Sequence, residues 1–290
     1  MPRPRDPRPA RGLRVRGLVL LQPLDLVISV LVMGFFVVSA VVGGGDIPRS
    51  VGGGLLIMLV MFVVGASIEV IIEALRDLPG LGTVVGFITN GPEMLCLIVG
   101  LVGGDIVFAA STPLGSNFMN PVMLLVAASL AASVGVVFRT DPVLTAFTLV
   151  STAAVAAVFF FIPESAYLAW LIGAAALGTV LFWRRPGDPA QHDPTGGIPR
   201  WTVLPAAALL VAAGYWLDPV VSFTAEASRA PKGLIGFFVL AALTSWPEFR
   251  SCLGLLRRGR TTSAVLNITV SNITNLWLAA LGVGVYLATR

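Results

Sequence analysis

The segment I-T-N-G-P-E at residues 88–93 returns 155 residues later as L-T-S-W-P-E at residues 243–248. Each copy is followed at the same distance by a second matched segment, G-S-N-F-M-N at 115–120 and V-S-N-I-T-N at 270–275. Thr89, Pro92, Glu93, Ser116, Asn117 and Asn120 thus recur as Thr244, Pro247, Glu248, Ser271, Asn272 and Asn275. All lie in apolar stretches long enough to cross a bilayer, where a carboxylate is costly and marks a functional position.

The composition fits that setting. Of 290 residues, 56% are hydrophobic and 12% charged, too little polar surface to coat a soluble globule. The expected fold is an all-α polytopic membrane protein with inverted-topology repeats. Apolar stretches predict nine transmembrane helices, near 23–43, 51–75, 82–102, 106–137, 142–162, 165–183, 201–217, 233–257 and 262–288. The stretch 106–137 carries Pro113 and Pro121 and is long for one crossing, which predicts a tilt or kink. The organisation read from this is a basic arm and extra N-terminal helix over 1–43, a first repeat over 51–183, a loop over 184–200 and a shortened second repeat over 201–290.

Six arginines and one acid fall in the first sixteen residues, ahead of an apolar run that lacks a cleavage site and reads as an uncleaved span. With that arm cytoplasmic, Arg184, Arg185, Arg200, Arg257, Arg258 and Arg260 fall on the same side. The expectation is a multi-pass protein of the cell (plasma or inner) membrane, N-terminus cytoplasmic and C-terminus outside. The net charge of +4 comes mostly from these loops, so it reports orientation and contact with anionic lipid, with no nucleic-acid partner expected. Cys96 and Cys252 have neither disulfide nor metal spacing and read as packing residues. His192 is the only histidine and lies in the 184–200 loop, and no nucleophile–base pair is found, so no enzyme and no resident cofactor are expected.

Between the two copies the chain crosses an odd number of times, so Glu93 sits on a helix running outward and Glu248 on one running inward. Two halves facing opposite ways can exchange conformations and open one midplane site to either side, as in many secondary transporters. Thr89 precedes Glu93 by four residues and Ser116 precedes Asn120 by four, so each pair shares a helical face. Pro92 and Pro247 offer no N–H, which frees the carbonyls of Ile88 and Leu243. Two carboxylates, hydroxyls, amide oxygens and carbonyls make an all-oxygen site suited to a hard cation such as Ca²⁺ or Na⁺. Asn117 and Asn272 are rotated about 100° from that face and are expected to bond between helices.

These residues resemble the cation/calcium exchanger superfamily, which includes the sodium/calcium exchangers, whose repeat reads G-T-S-x-P-E followed by G-S-N-x-x-N or G-S-N-x-x-D. The resemblance covers about 51–137 and 233–288. It implies that Glu93 and Glu248 are the central cation ligands, with Thr89, Thr244, Ser116, Ser271, Asn120 and Asn275 supplying the other oxygens, directly or through water. Ile88, Leu243 and Val270 stand where the family often has glycine, and Asn90 replaces a serine. Family members commonly have five helices per half. This chain shows one extra span, then five, then three, which leaves a flank for the extra helix, a second copy or a partner chain to cover.

The function expected is secondary antiport of a cation, Ca²⁺ against Na⁺ or H⁺, by alternating access around the two glutamates. The alternative is a non-transporting membrane scaffold or subunit that keeps the fold. Arg250 bears on the choice: two residues after Glu248, it is expected on the opposite side of the helix, snorkelling or paired with Glu69 or Glu73. Asp25 is assigned to a helix start, and Asp105 and Glu164 to solvated outer ends.

Overall fold

The computed structural model describes residues 13–15, 18–21, 23–75, 78–102, 104, 106–188, 198–230 and 241–290. Two short antiparallel strands, β1 (Leu13–Val15) and β2 (Leu18–Leu21), precede a chain that is otherwise helical among the described residues. The protein is an all-α polytopic membrane protein, with eight helical stretches long and apolar enough to cross a membrane among the described residues. Part of the eighth predicted span, 233–257, lies outside them, as do Asp105 and His192.

The first crossing is α1 (Pro23–Gly43). Val32, Phe36 and Ala40 are buried at helical spacing, while Leu31, Val38 and Val41 stay exposed, as suits a helix with one face on protein and one on lipid. It packs on α2 (Ile47–Ala74) and α9 (Val203–Ser228). Asp46 caps α2 by accepting from the Arg49 N–H at 3.0 Å. Small residues bring α2 and α9 together: a Cβ at Gly53 would meet Thr224 Cβ at 2.8 Å. The prediction ended the α9 span at 217, before Asp218-Pro219, but the helix runs on to Ser228 with Pro219 inside it. A neighbour-packed membrane helix tolerates the one backbone bond a proline removes.

The first motif lies on α3 (Leu81–Ile88), α4 (Gly91–Val102) and α5 (Ile106–Leu130). The long 106–137 stretch resolves into α5, with Pro113 and Pro121 inside it, and a short α6 (Val134–Val137). The pair α7 (Pro142–Phe159) and α8 (Tyr167–Arg184) follows. The second motif lies on α10 (Ala241–Thr244), α11 (Trp246–Arg257) and α12 (Thr261–Thr289).

Helix α12 is the most enclosed of the eight candidate spans, packed by α3, α5, α7, α8 and α11. Against α8 it brings Trp277, which stacks on Phe87 at 6.3 Å and closes on Gly178, where a Cβ would meet the indole at 2.8 Å. One apolar core joins α2, α3, α9 and α11 through residues such as Ile68, Val85, Leu217 and Phe249. A second joins α5, α7, α8 and α12 around Phe159, Tyr167 and Trp170. Phe159 lies 4.9 Å from Trp170, whose indole N–H donates to the Val155 carbonyl at 2.9 Å. Between these cores lies a polar layer.

Candidate functional site

Both motif helices break at the motif itself. The first turns at Thr89 and Asn90, between α3 and α4, and the second at Ser245, between α10 and α11. The sequence predicted one continuous span in each place, 82–102 and 233–257. The structure instead places Pro92 and Pro247 in the first turn of a fresh half-helix, where a missing N–H breaks no internal bond. Glu93 and Glu248 follow directly, so each carboxylate stands at the electropositive end of a half-helix. Glu93 also falls near the middle of the 22-residue stretch Leu81–Val102.

The eight residues singled out from the sequence, Thr89, Glu93, Ser116, Asn120, Thr244, Glu248, Ser271 and Asn275, are all fully buried. The first seven of these are joined by contacts with one another, and Asn275 lies one turn after Ser271 on α12. Ser116 Oγ donates to Glu93 Oε1 at 3.1 Å, and Ser271 Oγ donates to Glu248 Oε1 at 3.2 Å. Thr244 of the second repeat stands beside Glu93, 3.4 Å from the Ser116 hydroxyl. Thr89 of the first repeat faces Glu248 but closes no hydrogen bond of normal geometry among the described residues. The carboxylates are near enough to repel each other. Each therefore accepts from a serine of its own repeat and faces a threonine of the other.

The amides complete the layer. Asn120 Nδ2 donates to Ser271 Oγ at 3.0 Å and to Asn272 Oδ1 at 2.9 Å. Asn272 Nδ2 donates to the Asn117 carbonyl at 3.3 Å and to Thr152 Oγ1 of α7 at 3.1 Å. Interhelical bonding expected of Asn272 is present. For Asn117 only the backbone takes part; neither atom of its side-chain amide has a partner among the described residues. The same holds for both amide atoms of Asn275, and for Glu93 Oε2, Glu248 Oε2, Thr89 Oγ1, Asn120 Oδ1 and Ser245 Oγ.

Those orphaned atoms decide what the site can do. A buried polar atom left unbonded costs about 1–3 kcal/mol, and more for a charge. Two carboxylates buried in one layer each lose several kcal/mol of solvation, which one serine bond apiece does not offset. The oxygens left over are carboxylate, hydroxyl and amide oxygens, the donor set of a hard cation. Among the described residues no cluster of three or more His, Cys, Asp and Glu forms, so every donor beyond the two carboxylates is neutral.

Several members of this layer were not singled out as ligands from the sequence. Asn90 Oδ1 accepts from Ser271 Oγ at 3.2 Å, and its amide donates to the Gly86 carbonyl. Asn267 Nδ2 donates to the Glu248 carbonyl at 3.2 Å and to Ser251 Oγ at 2.6 Å. Asn267, Ser271 and Asn275 recur every four residues on α12, a signal readable without coordinates. Thr152 had none, since it lies outside the matched motifs.

Arg250 is buried and turns to α2, where its guanidinium fills the space a side chain at Gly65 would need. Arg258 pairs with Glu69 and Glu73, at 3.4 Å each. Glu164 is exposed, as expected of an outer end, and accepts from Tyr286 at 3.0 Å and from Arg290. Cys96 and Cys252 form no disulfide with each other and are buried in the packing.

Residues 200–289 match the family model described as sodium/calcium exchanger protein. A relative from Alkalimonas amylolytica, named "Putative antiporter CaxA", is 28% identical over 228 residues, 71% of this chain and 69% of that protein. No solved structure matches the chain. The family match covers the second motif, and the internal offset of 155 residues extends the same pattern to the first.

Proposed function

We propose that this chain, which is similar to sodium/calcium exchangers over residues 200–289, is a secondary cation antiporter that exchanges Ca²⁺ for Na⁺ or H⁺ at one site between its two repeats. The observation that carries this reading is the pair Glu93 and Glu248. They come from opposite repeats, are fully buried, and each has one oxygen bonded by its own serine and one left open. Glu93 and Glu248 would be the central ligands of the transported ion. Thr89, Thr244, Ser116, Ser271, Asn120 and Asn275 would supply the neutral oxygens.

Two carboxylates balance one divalent cation, two monovalent cations or two protons. The empty, doubly charged site resists reorientation through the bilayer centre, where unbalanced charge is expensive. The loaded site, by either ion set, is neutral and reorients. Coupling follows, since a half-cycle without cargo is blocked. Buried carboxylates released from a cation also tend to take up protons, so one architecture serves both counter-ions.

The test is Ca²⁺ uptake into proteoliposomes against an outward Na⁺ gradient and then a pH gradient, comparing wild type with Glu93→Gln and Glu248→Gln. Uptake driven by one of the gradients and lost in both variants is the expected result. Uptake that survives either substitution would overturn the paired-carboxylate site, and folded protein that moves no cation under either gradient would favour the scaffold reading.

A further inference from the structure

The bonds made and unmade in the polar layer are mirror images of each other. The offset of 155 residues pairs Thr89 with Thr244, Asn90 with Ser245, Ser116 with Ser271, Asn117 with Asn272 and Asn120 with Asn275. The bond Asn120 to Ser271 would be reflected as Asn275 to Ser116, and Asn120 to Asn272 as Asn275 to Asn117. Neither reflection is made, and the side chains of Asn275 and Asn117 are the ones left without partners among the described residues. Ser271 to Asn90 would be reflected as Ser116 to Ser245, and Ser245 Oγ is an orphan too. The Ser116 contact with Thr244 would be reflected as Ser271 with Thr89, the fourth such residue.

We infer that these asparagines form a two-position amide exchange, with Asn120 bonded to Asn272 in the state seen here and Asn275 bonded to Asn117 in the opposite access state. The inference rests on the antiporter reading, because only halves that exchange conformations convert a reflected contact into a real one. It makes Asn117 and Asn272 positioning residues for transport. The inventory supports this: all the groups the unmade bonds need are buried, and each of those bonds includes at least one atom of Asn275, Asn117, Ser245 or Thr89 that lacks a partner among the described residues. A buried orphan amide destabilises the state that holds it, so each state stores in one repeat the cost that the other state relieves. Thr152 weights the balance. It accepts from Asn272 and lies on α7, outside the two matched motifs, so it adds a bond to the present state.

In the present state α3 and α12 are closed on each other. A Cβ at Gly86 would meet the Asn267 carbonyl at 2.8 Å and Val270 Cβ at 3.1 Å, and Val270 is fully buried next to Ser271. A cysteine at Val270 therefore reports the opening of this seam. With Cys96 and Cys252 replaced by alanine, Val270→Cys is labelled by a membrane-impermeant thiol reagent added to vesicles from the side where α3 and α12 begin. Asn272→Ala removes bonds of the present state and should raise the labelling rate about tenfold. Asn117→Ala keeps the backbone carbonyl that Asn272 uses, removes a group needed only by the opposite state, and should lower the rate below wild type. The double variant should return towards the wild-type rate.

Opposite signs are the decisive result, since two merely structural asparagines would both loosen the seam when truncated. Labelling that changes in the same direction in both variants overturns the inference. Thr152→Val, a near-isosteric change that removes only the acceptor, should act in the same direction as Asn272→Ala with smaller size and keeps the test open if that variant does not fold; no change in Thr152→Val would then count against the exchange. Labelling needs no cargo, so a protein that fails to move cations would refute the antiporter reading separately.

Discussion

The closest backbone approach across the α3–α12 seam gives a prediction whose size can be worked out. Gly82 lies in the first turn of α3, and a Cβ there would sit 2.7 Å from Ser263 Cα and 2.8 Å from its carbonyl carbon. That is roughly an ångström short of carbon–carbon contact, and the obstacle is backbone, which cannot swing aside. The Gly82 N–H also donates to Asp188 Oδ2 at 2.6 Å, while Asp188 Oδ1 accepts from Ser263 Oγ at 2.7 Å, so one carboxylate ties the starts of both helices. Gly82→Ala gains up to about 1 kcal/mol of helix propensity. It meets about 1–3 kcal/mol of overpacking, and it strains a bond to a charged acceptor worth about 1.5–3 kcal/mol. The net expectation is a loss of about 1–3 kcal/mol. Gly173 on exposed α8 is the comparison, since a Cβ there meets nothing within 4 Å. Thermal denaturation in one detergent, read by tryptophan fluorescence, should place Gly82→Ala several degrees below wild type and Gly173→Ala at or slightly above it. Equal midpoints for the two variants would refute the reasoning.

Other substitutions separate the roles of neighbouring groups. Ser271 bonds Glu248, Asn90 and Asn120 whereas Ser116 bonds Glu93 and touches Thr244, so Ser271→Ala should lower the melting temperature more than Ser116→Ala, by a difference of about 1–2 kcal/mol. Arg258 is a third exposed, so Arg258→Ala should cost no more than about 0.2–1 kcal/mol, and that difference should shrink in high salt when melting is repeated. Phe159→Ala empties the centre of the α5–α7–α8–α12 core and should cost about 3–5 kcal/mol, seen as loss of folded protein on size exclusion. Ca²⁺ at a hundred times its dissociation constant should stabilise the wild type by about 2.7 kcal/mol in a thermal-shift titration and leave the double variant Glu93→Gln/Glu248→Gln unmoved.

Much of this was legible in the sequence because the informative residues are polar in an apolar background. Glu93, Ser116 and Asn120 stand out against Leu, Val and Ala, and their recurrence at one offset removes the ambiguity of a single copy. The burial of all eight ligand candidates in one layer follows from that pattern and the inverted topology. The helix breaks were less legible. Proline is readable as a missing donor, but whether the chain kinks or restarts depends on whether neighbours satisfy the freed groups, which only packing reveals. Asp218-Pro219 shows the converse, a pair that reads as a stop inside a helix that continues. Arg250 and Arg258 show a third limit: α11 gives the direction of each side chain, yet the space at Gly65 that receives Arg250 belongs to another helix.

The same contacts explain how a change at the ion could reach the seam. Asn90 joins them, because its amide donates to the Gly86 carbonyl on α3 while its oxygen accepts from Ser271 on α12. Ser271 in turn holds Glu248 Oε1, and Val270, one residue earlier, rests against Gly86. A cation that draws Glu248 and Thr89 towards itself competes for the Ser271 hydroxyl. In the reflected bonding pattern that hydroxyl turns from Asn90 to Thr89, and the release of Asn90 removes the one polar tie that runs from the carboxylate to the Gly86 turn. What then holds α3 to α12 is close packing at Gly82 and Gly86 and the Asp188 carboxylate at the helix starts. Such packing is short-ranged, since a gap of about 0.5–1 Å forfeits a quarter to a half of the dispersion contact. Loss of one central bond is therefore enough to favour separation, and a chain in which Asn90→Ala cuts that tie should show a Val270→Cys labelling rate that no longer responds to Ca²⁺.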